Sequence, residues 1–90
     1  MYNLIYLADD HAIVAAGIAH LLQSLTNTRE VNVFHSGNEI LAAIEQKMPS
    51  LVILDIEMPG MNGIETLQKI KSATNVPVIM LSMNDEKYII

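Results

Sequence analysis

The stretch Leu51-Val52-Ile53-Leu54-Asp55-Ile56-Glu57-Met58-Pro59-Gly60-Met61-Asn62-Gly63 decides how the rest of the chain is read. Its first four residues are aliphatic, Val52 and Ile53 are β-branched, and nothing polar interrupts them before Asp55. A continuous apolar run of this length marks a strand buried on both faces, as inside a parallel sheet. Pro59, Gly60 and Gly63 cannot continue a regular element, so the chain turns there. An acid where a buried strand gives way to its loop stands at the carboxyl edge of the sheet, where α/β folds bind ligands.

Working outward, the same pattern recurs. Leu4-Ile5-Tyr6-Leu7-Ala8 is a second short apolar run, and it too ends on acid, Asp9-Asp10. Ile13, Val14, Ile18, Leu21, Leu22 and Leu25 form one apolar stripe at helical spacing, predicting a helix that ends near Thr26-Asn27. Val31–Phe34 is a shorter, alternating strand, as expected nearer a sheet edge. Ser36 followed by Glu39 has the spacing of a capping box. The helix it opens carries Ile40, Leu41, Ile44 and Met48 and stops before Pro49. Asn62 caps the next helix, whose inner stripe is Ile64, Leu67 and Ile70, with Lys69 and Lys71 near its C-terminal end. Val76–Leu81 is a fourth strand ending on Ser82, and Asn84, Asp85 and Glu86 read as the acidic start of a fourth helix.

Alternating strands and helices imply a parallel sheet with right-handed crossovers. The expected class is α/β, a flavodoxin-like doubly wound sheet of strand order 2-1-3-4, cut off in its fourth helix. Adjacent strands lie about 4.8 Å apart. That order therefore gathers Asp9, Asp10, Asp55 and Ser82 at the ends of three neighbouring strands.

Composition bounds the function. Ninety residues make one domain with one core. A hydrophobic content of 51% with 17% charged residues is that of a globular chain. A net charge of −5 disfavours direct binding to nucleic acid or anionic lipid. With no cysteine, disulfides and thiolate metal sites are excluded, which fits a cytoplasmic protein. No apolar run reaches membrane-spanning length, and the first residues lack a signal-peptide pattern.

Two unit charges 4 Å apart repel by roughly 4 kcal/mol at an effective dielectric of 20. Three clustered carboxylates therefore either raise their pKa values or bind a cation. Mg²⁺ suits a site of few carboxylates, a backbone carbonyl and retained waters. It would clamp an incoming phosphoryl oxygen, leaving Asp55 as the nucleophile.

With these residues in place, the chain resembles the receiver domain of bacterial two-component response regulators. The matching pieces are Asp9-Asp10 after the first strand, Asp55 in Asp-Ile-Glu-Met-Pro-Gly-Met-Asn-Gly after the third, and Ser82 after the fourth. Leu7-Ala8-Asp9-Asp10-His11 further resembles the subgroup whose receiver precedes a LuxR-type helix-turn-helix. The resemblance implies that Asp55 accepts a phosphoryl group from a sensor histidine kinase or a phosphotransfer protein. It implies that Asp10 and Asp55 bind Mg²⁺ directly, Asp9 through water, and Glu57 through its backbone carbonyl. Ser82 would hydrogen-bond the phosphoryl group and move on activation, while Glu57 and Asn84 tune the lifetime of the phosphate. The output implied is transcription regulation by a DNA-binding effector outside these residues, and no turnover enzyme is implied.

The chain departs from that family where it stops. Residues 1–90 read as a receiver incomplete at its C-terminus, without the fifth strand, the fifth helix or the phosphate-binding Lys that follows that strand. Lys87, read as part of the fourth helix, does not replace that Lys. Tyr88, Ile89 and Ile90 are read on the same helix. The fourth strand would be left as an exposed apolar edge, inviting a homodimer formed by edge pairing or strand exchange. A second reading is thus a receiver-like interaction module that dimerises without phosphorylation. A third, a Mg²⁺ phosphatase of the haloacid dehalogenase type, ranks last, because that class carries D-x-D-x-T after its first strand.

Single residues also have plainer readings. Asp10 alone reads as a helix cap and Ser82 as an N-cap. The conjunction of Asp9, Asp55 and Ser82 outweighs these. His11 reads as structural or exposed rather than a ligand, and His20 and His35 have no partner spacing. The six methionines read as filler.

Overall fold

Strand β3 (Leu51–Asp55) is buried along its whole length, as its unbroken apolar sequence requires. In the computed structural model it lies at the centre of a five-stranded sheet of order β2-β1-β3-β4-β5. The structure describes residues 3–28, 30–58, 60–81 and 87–89. The remaining elements are β1 (Leu4–Ala8), α1 (Ala12–Thr26), β2 (Glu30–Phe34), α2 (Gly37–Gln46), α3 (Gly63–Ala73), β4 (Val78–Leu81) and β5 (Lys87–Ile89). The first four strands of the sheet are parallel, giving the order 2-1-3-4 and the flavodoxin-like fold expected from the sequence.

The helices start where local chemistry caps them. The Ser36 hydroxyl accepts from the Glu39 amide at 3.2 Å, and Asn62 Oδ1 accepts from the Glu65 amide at 2.9 Å. Helix α1 ends at Asn27, whose φ of 55° is the left-handed geometry of a helix C-terminus.

Strand alternation sorts the core into two layers. Leu4, Tyr6, Ala8, Val52, Leu54, Val78 and Met80 face α2 and α3, meeting Ile40, Ile44, Leu67 and Ile70. Ile5, Leu7 and Ile53 face α1, meeting Ala15, Ile18, Ala19 and Leu22. No helix among the described residues is long and apolar enough to cross a membrane.

Several expectations from the sequence are corrected. The stripe assigned to α1 holds only in part: Ile18 and Leu22 pack against the sheet beside Ala15 and Ala19, whereas Ile13, Val14, Leu21 and Leu25 are exposed. In α3, Ile64 is exposed and Thr66 joins Leu67 and Ile70 inside. Met48 lies beyond the end of α2 and is exposed. The residues assigned to a fourth helix differ most. Lys87–Ile89 form β5, antiparallel to β4, with Ile79 opposite Ile89 and Leu81 opposite Lys87. The β4 edge is therefore paired within the chain, which removes the basis given for strand exchange through it. Asn84, Asp85, Glu86 and Ile90 lie outside the described residues, as does Ser82.

Candidate functional site

Parallel register builds the site. Ala8 pairs with Leu54, so the next residue of each strand, Asp9 and Asp55, emerges at the same carboxyl edge. Both are 4% exposed. Asp10 follows at the surface, and His11 is the N-cap residue of α1. That disposes of the plainer reading of Asp10 as the helix cap. One ligand atom from each of Asp9, Asp10, His11 and Asp55 lies within 4.8 Å of all the others. Of the residues singled out in the sequence, the structure thus gathers the three acids. Glu57 stands beside them, and Ser82 lies outside the described residues.

The loop after β3 is held tightly. The Glu57 amide donates to Asp55 Oδ1 at 3.1 Å, and the Gly63 amide donates to the Ile56 carbonyl at 2.9 Å. A Cβ at Gly63 would run into the carbonyl oxygen of Asp55 and come within 2.8 Å of Ile56 Cα. Gly60 completes the turn with φ of 71°, a conformation suited to glycine. The Asp-Ile-Glu-Met-Pro-Gly-Met-Asn-Gly sequence therefore fixes the acid by folding its loop back over the strand end.

The two buried acids are not equivalent. Asp9 Oδ1 accepts from the His11 amide at 2.8 Å and lies 3.1 Å from His11 Nδ1. Asp55 Oδ2 is, among the described residues, the one buried side-chain polar atom without a hydrogen-bond partner. The nearest positive group is His11 Nδ1, 3.7 Å away. Burial, together with the charges of Asp9 and Asp10, raises the Asp55 pKa above the usual carboxylate value, against the lowering effect of the Glu57 amide. The hydrogen bond to Asp9, reinforced by Asp10, raises that of His11 above the usual imidazole value.

An orphaned buried oxygen beside two further carboxylates is a donor set suited to a hard divalent cation. Asp9, Asp10 and Asp55 could hold it. Beside them opens a cleft of about 600 Å³, lined by Asp10, His11, Ile56, Glu57, Met58, Asn62 and Ile64.

Comparison with known proteins decides the family. Residues 5–90 match the model of the response regulator receiver domain. The chain belongs to that family. The receiver is 37% identical over 67 residues to the transcriptional activator protein ExaE of Pseudomonas putida, covering 74% of this chain and 31% of ExaE. It is 37% identical over 83 residues to the protein-glutamate methylesterase/protein-glutamine glutaminase of Bacillus subtilis, covering 92% of this chain and 23% of that protein. Among solved structures, a LuxR-family DNA-binding response regulator from Staphylococcus aureus superposes with a TM-score of 0.83 at 29% identity. That match covers 93% of this receiver and 71% of the solved chain. The receiver thus spans less than a third of the length of these two curated relatives.

Sequence reasoning missed two features of the site. His11 is exposed and structural as the sequence reads it, but the turning of its ring toward the acids is not encoded there. The tight approach of Gly63 to the Asp55 backbone carries no local signal that distinguishes it from an ordinary turn.

Proposed function

We propose that this receiver is a phosphoacceptor switch in which Asp55 takes a phosphoryl group from the phosphohistidine of a sensor kinase or phosphotransfer protein. The observation that carries this reading is Asp55 Oδ2: a buried, unpartnered carboxylate oxygen at the ligand-binding edge of the sheet, with an open cleft beside it. A structural aspartate would have both oxygens satisfied.

In the transfer, an Asp55 oxygen forms the new O–P bond as the P–N bond of the donor breaks. The electron pair leaves on the donor imidazole, which takes up a proton. The product is an acyl phosphate on Asp55. Asp10, Asp55, the Glu57 carbonyl and, through water, Asp9 would hold Mg²⁺, which would supply charge neutralisation for the phosphoryl oxygens. Burial keeps the acceptor out of bulk water, and the Glu57 amide fixes its orientation by holding Oδ1. Ser82 is assigned the hydrogen bond to the phosphoryl group. Ile13, 89% exposed in the first turn of α1 and two residues after His11, offers apolar surface to the donor protein.

The added charge, roughly −1.5 to −2 by analogy with other phosphorylated side chains, biases a two-state surface that an effector reads. We assign residues 1–90 to the receiver unit, with the effector outside it. A DNA-binding, transcription-regulating output in the cytoplasm is favoured by the Asp-Asp-His sequence after β1 and by similarity to a transcriptional activator and a LuxR-family regulator. On this reading the chain modifies itself and turns over no external substrate. The exposed-edge argument for the dimerising alternative is answered by β5, which pairs with β4.

Intact mass after incubation with acetyl phosphate tests the reading. A phosphoryl adduct that needs both Mg²⁺ and Asp55 is expected. No adduct in the wild-type chain or in one extended beyond residue 90 would overturn it.

A further inference from the structure

Helix α1 carries no Asp, Glu, Lys or Arg, although the chain as a whole has ten acids and five bases. Four of the six large hydrophobic side chains exposed among the described residues stand on this one helix. They are Ile13 at 89%, Leu25 at 80%, Leu21 at 56% and Val14 at 40%. At about 100° per residue, these four and Gly17 share a stripe about 120° wide. It lies beside the face of Ala15, Ile18, Ala19 and Leu22 that covers the sheet. An exposed apolar stripe of that extent marks a surface that another molecule covers.

Gly17 is an independent observation. The other three glycines have a reason within the chain. A Cβ at Gly37 would strike Thr66 Oγ1, one at Gly63 would strike the Asp55 carbonyl, and Gly60 has a positive φ. Gly17 has no positive φ, and a Cβ there would meet nothing within 4 Å. Glycine inside a helix weakens it relative to alanine. Nothing in the fold calls for this one, whereas the close approach of a second helix does, because the side chains at the contact set the distance between axes.

We propose that α1 pairs with α1 of a second copy of this chain, antiparallel about a two-fold axis passing between Gly17 and Leu21. Ile13, Gly17, Leu21 and Leu25 recur every four residues. Reversing that order sets Leu21 of each copy over Gly17 of the other, and Ile13 against Leu25. Each large side chain thus meets a gap or an apolar neighbour, the self-complementarity that a two-fold interface requires. Charge favours the same occupant. At a net charge of −5 two copies repel one another, and a helix without charged side chains lets them meet without juxtaposing carboxylates. The donor contact assigned to Ile13 lies at the start of α1, whereas Leu25 stands about 18 Å further along the axis, so that contact does not account for the whole stripe. Pairing covers Ile13 as well, which makes the second copy and the phosphoryl donor competitors.

One helix pair is a small interface, so light scattering from about 10 μM to about 1 mM is the range to examine. The 10.0 kDa chain should pass toward twice its mass as concentration rises. Leu21→Glu should weaken association at least about tenfold with an unchanged circular dichroism spectrum. Gly17→Ala should raise the urea midpoint of the diluted chain while weakening association, a combination that a purely structural glycine does not give. The chain has no cysteine, so introduced thiols react without background. In an equimolar mixture of Gly17→Cys and Leu21→Cys under mild oxidation, the mixed disulfide should clearly exceed the share of about half that random pairing gives. Random pairing, or association equal to wild type in Leu21→Glu, overturns the proposal. So does a single-chain mass at every concentration, which assigns the stripe to an unlike partner instead.

Discussion

Asp9 and Asp55 stand at the ends of adjacent strands, equally buried, and differ in what surrounds them. Asp9 Oδ1 takes the His11 amide and faces the His11 ring, and its backbone carbonyl oxygen meets His35 Nδ1 at 3.2 Å. Asp55 has the Glu57 amide on one oxygen and no hydrogen bond on the other. One acid organises a loop and the other is left with unspent bonding capacity. Position in the sheet brings both acids to its carboxyl edge, and the hydrogen bonds already made by their oxygens decide how much bonding capacity each keeps.

Replacement of Asp55 should have the largest effect. Asp55→Asn is expected to abolish the phosphoryl adduct, read by intact mass. In metal-free buffer the same change should stabilise the fold by about 1–3 kcal/mol in urea denaturation, because it removes the charge of a buried carboxylate whose Oδ2 lacks a hydrogen bond. A loss of stability would mean that Asp55 is held as well as Asp9.

Gly63→Ala strikes the backbone of Asp55 and Ile56 and leaves Asp9 untouched. The new Cβ has no room against the Asp55 carbonyl or Ile56 Cα, so the backbone that carries the acid has to shift. A loss of about 1–3 kcal/mol is expected from the overpacking, together with a slower adduct-forming reaction. Asp9→Ala should cost about 1–2 kcal/mol by leaving the His11 amide unpaired, the reverse of the gain at Asp55. Denaturation midpoints of the two acid variants, measured side by side, check the contrast directly.

The smallest effect is on pH dependence. Because the folded pKa of His11 is raised, its contribution to stability is fully present below the ordinary imidazole value of 6.5 and is lost as pH rises through the higher folded value. The raised Asp55 acts in the same direction, its contribution present below 3.8 and lost above. In a chelator, stability should therefore increase as pH is lowered from about 8 to about 6, following the imidazole titration. His11→Ala should flatten that slope.

The parts legible in the sequence are those set by local pattern. The apolar runs ending on Asp9 and Asp55, and the caps Ser36 and Asn62, fall where the sequence puts them. The α1 face is legible only at Ile18 and Leu22, because that helix is apolar nearly all round and the sheet accepts the small Ala15 and Ala19 while Ile13 and Leu21 stay exposed. A pattern without a polar side carries no direction. Lys87–Ile89 follow an acidic stretch that resembles a helix start, and three residues are too few to show a period. Pairing with β4 decides their conformation instead. For the site, strand order was enough to bring the three acids together. The direction of the His11 ring depends on how the N-cap residue is turned, which no spacing encodes.

The central claim is that one particular acid receives the phosphoryl group. After treatment with acetyl phosphate and Mg²⁺, borohydride reduces an acyl phosphate to the alcohol, and peptide mass spectrometry then locates the modified residue. The account predicts homoserine at position 55, with Asp9 and Asp10 unchanged. Homoserine at position 9 or 10, or a phosphoryl group that resists reduction because it sits on a hydroxyl, would contradict it.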